Sequence, residues 1–180
     1  MDNFYSNIST IAIRNGLIYR PIPQLRLVAG YAYFRIASLR GILPTPHEHR
    51  GWQMVQWTQN NLKTRYILGI RAEQRFREQP LQGSHSGDYV FNHRFRYNIN
   101  VNIKLNKIKS WVIGNEFMHN VGKEIIYNKF DQNRTWTGIQ HQISPKLQIQ
   151  ILYMLLYQHL PRPQERLLSH NIRITIFKSE

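Results

Sequence analysis

From His93 to Leu105 apolar and polar residues alternate without a break. His93, Phe95, Tyr97, Ile99, Val101, Ile103 and Leu105 occupy the odd positions, and Arg94, Arg96, Asn98, Asn100, Asn102 and Lys104 the even ones. Successive side chains of a pleated strand point to opposite faces, so this period predicts a strand with one apolar and one polar side. At roughly 3.3 Å per residue, the stretch FNHRFRYNINVNIKL at 91–105 spans about 45 to 50 Å. Strands of globular proteins usually run to about 5–6 residues. Asparagine is a poor strand former, so something other than propensity must hold the polar face.

The same alternation, interrupted by turn-forming residues, predicts about nine strands, at 9–20, 24–38, 48–59, 63–78, 88–105, 109–119, 131–143, 146–160 and 169–177. Short connections (21–23, 60–62, 106–108, 144–145) alternate with long ones (39–47, 80–87, 120–130, 161–169). A soluble meander has no need of that order. An outer-membrane barrel has tight periplasmic turns and longer external loops. The expectation is therefore a single all-β domain over residues 1–180, an antiparallel up-and-down transmembrane β-barrel. With both ends periplasmic, an odd number of strands precedes Met1, and about ten in total is the simplest even count. On this reading the chain lacks its signal peptide and first strand; MDNFYSNIST has neither a basic segment nor an apolar core.

Arginine and lysine distribute differently. Arg14, Arg26, Arg71, Arg75, Arg94, Arg96, Arg134 and Arg173 fall within predicted strands, whereas Lys63, Lys104, Lys107, Lys109 and Lys146 sit beside short turns. A lipid-facing arginine near the midplane costs about 2–4 kcal/mol, so the arginine faces turn inward. There the planar guanidinium can bind several carboxylates and amides at once. Arg71, Glu73, Arg75, Arg94, Arg96, Glu116, Arg134 and Arg173 form the expected polar lumen network. It would be a hydrogen-bonded plug, or a small anion-preferring pore or ligand site; barrels of about ten strands are filled by side chains, open pores appearing at about 16–18. Outside, Tyr19, Tyr66 and Trp111 fall near short turns, and Tyr31, Tyr33, Phe76, Phe117 and Tyr157 toward long loops, as two interfacial girdles require. Leu152, Met154 and Leu156 blur the polar side of strand 146–160. The competing arrangement is a soluble lipocalin-like ligand-binding barrel, with apolar residues lining the cavity.

Charge and composition narrow the chemistry. A formal charge of +14 raises nucleic acid, anionic lipid and lipopolysaccharide as partners. A nucleic-acid stacking platform needs aromatic and basic residues on one face; Phe95 and Tyr97 alternate with Arg94 and Arg96, so no nucleic acid is expected. The chain has no cysteine, which excludes disulfides and thiolate metal sites. The longest strongly apolar run, ILYMLL at 151–156, is far short of the ~18 residues of a spanning helix. Ser84, His85, Ser86 and Asp88, with His119 and Asp131 in another long connection, are raw material for a lipid hydrolase at the rim, but read as polar loops. His47 and His49 flank Glu48 and could share a metal on one strand face, with no third ligand indicated. The expectation is a non-enzymatic protein with no cofactor and no bound metal.

HEHRGWQMVQW (47–57), RAEQRFRE (71–78), NEFMHN (115–120), FDQNRTWTGI (130–139) and HNIRITIF (170–177) together resemble the bacterial outer-membrane barrels grouped as domain of unknown function 2490. The resemblance implies a protein of the outer membrane, delivered by the barrel assembly machinery and surrounded by lipid and lipopolysaccharide. Members of that family typically carry a signal peptide and further strand sequence before the region equivalent to 9–38. It brings no catalytic residues to carry over, and leaves the external loops as the contact surface.

Overall fold

A computed structural model describes residues 10–36, 46–81, 84–160 and 164–178, with the backbone alone at 10, 36, 80–81 and 84–86. Among the described residues nine strands follow one another as β1 (Thr10–Ile22), β2 (Leu25–Ile36), β3 (His47–Asn60), β4 (Thr64–Leu81), β5 (Ser84–Lys104), β6 (Lys109–Val121), β7 (Phe130–Ser144), β8 (Leu147–His159) and β9 (Arg166–Lys178). Each pairs antiparallel with its neighbours in sequence, in one sheet of up-and-down order. β1 and β9 are its edges and run in the same direction, so they cannot pair antiparallel with each other. The sheet nonetheless curls round an interior, for one cavity is lined by Arg14 of β1 and Gln158 of β8.

The alternation partitions as period two demands. Glu48, Glu73 and Asn92 are completely buried, whereas Leu17 is 84% and Ile172 76% exposed on the other face. This overturns the lipocalin-like alternative: the ionic residues line the interior and the aliphatic rows face out. Leu152 and Met154, which blurred the polar side of β8, do point inward, where Leu152 packs with Val112 and Trp136.

Two indoles lie flat against the inner wall, and each needs a glycine beneath it. Trp52 is opposite Gly30 across the β2–β3 ladder, and Trp136 opposite Gly114 across β6–β7. A Cβ on Gly30 would come 2.7 Å from the Trp52 ring, and one on Gly114 2.4 Å from Trp136 Cε2. Around them form two apolar clusters among the described residues, Val28, Ala32, Phe34 and Trp52 on one side and Val112, Trp136 and Leu152 on the other.

One expected connection is different. The long loop placed at 80–87 is largely ladder: Pro80 faces His85 and Leu81 faces Ser84, so the β4–β5 hairpin projects beyond its neighbours. Alternation is weak there, and Pro80 and the glycines read as a loop, but a two-stranded ribbon tolerates a proline at its irregular tip. The expected loops 39–47 and 161–169 fall largely or partly outside the described residues; β3 already begins at His47 and β9 at Arg166.

Gly114→Val should lower the urea midpoint in detergent by an amount equivalent to about 1–3 kcal/mol, as overpacked sites do. Gly51→Ala, whose Cβ would meet only Gln74 Oε1 at 3.4 Å, should leave it unchanged. Equal midpoints for both variants would contradict the flat seating of Trp136.

Candidate functional site

The densest chemistry is inside, between the indoles and the long connections. Antiparallel register places Arg50 opposite Arg75, Arg71 opposite Arg96, Glu73 opposite Arg94 and Glu116 opposite Arg134. Like charges directly opposed repel, so the carboxylates must bridge the arginines. Glu73 is the hub. Its Oε2 accepts hydrogen bonds from Arg94 Nε at 2.8 Å and Arg94 Nη2 at 2.5 Å, and its Oε1 accepts one from Arg96 Nη1 at 3.0 Å. Arg71 Nε lies 3.0 Å from the same Oε1, although its N–H is not aligned for a hydrogen bond, and Arg50 Nη1 stands 3.8 Å from Oε2.

From this hub the network extends both ways. Glu48 accepts from Arg50 Nε at 2.7 Å and from Arg75 Nε at 2.5 Å, joining β3 to β4. Glu116 Oε1 receives the Arg96 fork, Nη2 at 2.7 Å and Nε at 3.0 Å, with Arg134 at 3.7 Å, and Asp131 accepts from Arg94 Nη1 at 3.1 Å. Five strands, β3 to β7, are thus tied through charge-assisted bonds, the stronger class of hydrogen bond. Toward the short turns amides replace ions. Trp136 Nε1 donates to Asn100 Oδ1 at 3.0 Å, Gln140 Nε2 to Gln148 Oε1 at 2.7 Å, and Gln150 Nε2 to Gln140 Oε1 at 3.2 Å.

Of the eight lumen residues expected, Arg71, Glu73, Arg75, Arg94, Arg96, Glu116 and Arg134 come together here. Arg173 does not join them. It is exposed on edge strand β9, with its guanidinium 5.6 Å from the Trp136 ring centroid. The expected set omits Glu48, Arg50 and Asp131. Glu48 is flanked by His47 and His49, yet strand parity in HEHR sets it against both histidines and alongside Arg50.

His47 and His49 lie on the outer face, held by the hydroxyls of Tyr33 and, at 2.5 Å, Tyr31. Among the described residues no three histidine or acidic side chains are grouped to hold a metal. The hydrolase candidates also separate. His119 stacks outside on Phe95 and Tyr97, with ring centroids 5.3 and 5.7 Å away, while Asp131 is bound to Arg94 within. The side chains of Ser84, His85 and Ser86 lie outside the described residues. His93, His119 and His159, interleaved with Phe91, Phe117, Phe130 and Tyr157, form an outer belt at the long-loop end. Tyr19, Trp57, Tyr66 and Trp111 are exposed at the opposite end. Outward amides between these bands satisfy one another across strands: Gln53 with Gln74 at 3.1 and 3.3 Å, Asn115 with Asn133 at 3.0 and 3.1 Å.

The family model described as protein of unknown function (DUF2490) matches residues 1–166. The chain belongs to this family. Among solved structures the NanC porin is similar, with a TM-score of 0.61 at 14% identity, over 95% of this chain and 79% of that one. This likeness establishes a porin-like β-barrel fold. No curated protein matches the chain.

In this DUF2490 chain, Glu73→Gln would leave Arg94, Arg96 and Arg71 facing one another in the interior. Breaking a buried pair by removing one partner costs about 3–5 kcal/mol, and the urea midpoint in detergent should fall accordingly. Replacing Glu73 and Arg94 together by leucine and methionine should recover part of the loss. A Glu73→Gln midpoint equal to wild type would contradict the hub.

Proposed function

We propose that the protein is a non-enzymatic barrel of the bacterial outer membrane, its interior closed at mid-height by the ion-paired network and its long connections forming an external contact surface. One observation carries this reading. Carboxylates and arginines are buried while Ile13, Leu17, Leu68, Ile70, Ile99, Ile151 and Ile174 stand exposed in rows, an inversion that water would penalise as a large apolar patch and that lipid rewards. The aromatic bands at the two ends of these rows fit the two interfaces of a bilayer, and the outward amides that pair with one another fit a solvent unable to hydrogen-bond them. The similarity to a porin supports the location. Surrounding lipid and lipopolysaccharide are then the immediate partners, and the Glu73-centred cluster acts as a structural plug that holds β3 to β7 in register. Against a hydrolase stands the separation of His119 from Asp131 by the thickness of the sheet.

Cell fractionation tests the location: the chain, expressed with an export signal, should sediment with outer membranes and change its electrophoretic mobility on heating. Recovery in the soluble periplasmic fraction would overturn the reading. At the outer face, Ile99→Arg should destabilise the folded protein in bilayers by about 2–4 kcal/mol, and Leu68→Arg similarly. Neutral effects of both would contradict a lipid environment.

A further inference from the structure

Above the Glu73 hub, toward the long connections, the interior contains a cavity of about 360 Å³. Its wall carries seven arginines and only two carboxylates, Glu48 and Asp131. Both carboxylates are engaged, Glu48 by Arg50 and Arg75 and Asp131 by Arg94. Arg94 and Arg96 also bind Glu73, and Arg96 and Arg134 face Glu116, which leaves Arg14 and Arg77 without a contact carboxylate among the described residues. Among the described residues Arg77 forms no contact ion pair; its Nη2 reaches Asn92 Oδ1 at 3.4 Å and its buried Nε has no hydrogen-bond partner. Arg14, exposed on edge strand β1, has the Phe34 ring at 5.0 Å as its neighbour, whereas Arg134 pairs with Glu116 at 3.7 Å and donates through Nε to Gln132 Oε1 at 2.9 Å. An unpaired buried charge is costly, so a network that served only as a plug would leave no buried guanidinium without a carboxylate. Here Arg14 of β1 and Arg77 of β4 line one cavity with no carboxylate in contact with either among the described residues.

We infer that this cavity binds a small multivalent oxyanion, a molecule with two or more phosphate or carboxylate groups. The chemistry follows from the side chains. Planar guanidinium forks match the oxygen pairs of phosphate and carboxylate, and several of them at different angles favour more than one anionic group. The amides of Asn128, Gln132 and Gln158 on the same wall complete the hydrogen bonding. At about 30 Å³ per water, the space is that of roughly a dozen waters, enough for a pyrophosphate or a tricarboxylate. The site rests on the side-chain arrangement of the interior, independent of the membrane location, so a binding test in detergent can fail without affecting the fractionation result, and the reverse.

Titration calorimetry of the detergent-solubilised protein at low ionic strength tests the site, with pyrophosphate in one arm and citrate in the other. At least one should bind, more weakly as sodium chloride is raised; the arm that binds tells a phosphate site from a carboxylate one. Arg77→Gln should weaken binding about tenfold or more, the scale of a lost charge-assisted bond. Without anion the same variant should melt no lower than wild type, because it removes an unpaired charge. If Arg77→Gln does not fold, Arg77→Lys keeps the charge, loses the fork and should still weaken binding. No binding of either anion at millimolar concentration, or equal affinity in wild type and in Arg14→Gln/Arg77→Gln, would overturn the site.

Discussion

A carboxylate with no exposed surface, Glu73, sits among Arg50, Arg71, Arg94 and Arg96, and most of the interior's order follows from that grouping. A lone carboxylate could not be taken out of water at such depth, and four arginines could not be brought together without it. The contacts run between strands as well as along them: Glu73 and Arg94 are opposed across β4–β5, and Arg94 reaches on to Asp131 of β7. Slipping any of these strands by one residue would send its charged row outward. Register and ionic pairing therefore enforce each other.

The apolar parts of the interior are arranged around the same constraint. Trp52 and Trp136 fill width that ionic side chains cannot fill without further partners, and Gly30 and Gly114 let each ring lie against the wall. Arg71 lies over Trp52, its guanidinium carbon 4.1 Å from the ring centroid, so the aromatic layer also supports the charged one. Below, the amides of β5, β7 and β8 continue the packing with groups that both donate and accept. The polar asparagine side of β5, unfavourable by propensity, is stable because its partners are other inward side chains rather than water.

Much of this was legible along the chain. Alternation identified all nine strands to within a few residues, and it assigned Arg94 and Arg96 to one face and Phe95 and Tyr97 to the other. It also contained Glu48, whose parity matches Arg50, but the flanking histidines suggested a different chemistry. Alternation does not assign Asp131 inward, because a ladder irregularity between Met118 and His119 disturbs the simple count at the start of β7. The β4–β5 ribbon was hidden by Pro80 and two glycines, which carry a loop signal whether or not the ladder continues past them. Arg173 has the right parity but lies on an edge strand, and parity says nothing about which neighbours a strand acquires.

What the sequence determined by itself was the two-faced character of each strand and the up-and-down order, because side-chain period and turn spacing are local properties of the chain. Tertiary structure alone decided which arginine meets which carboxylate, which tryptophans turn inward over glycine, and where positive charge is left without a partner. Those outcomes depend on register and curvature across residues 15 to 37 apart, and strand alternation carries no record of either.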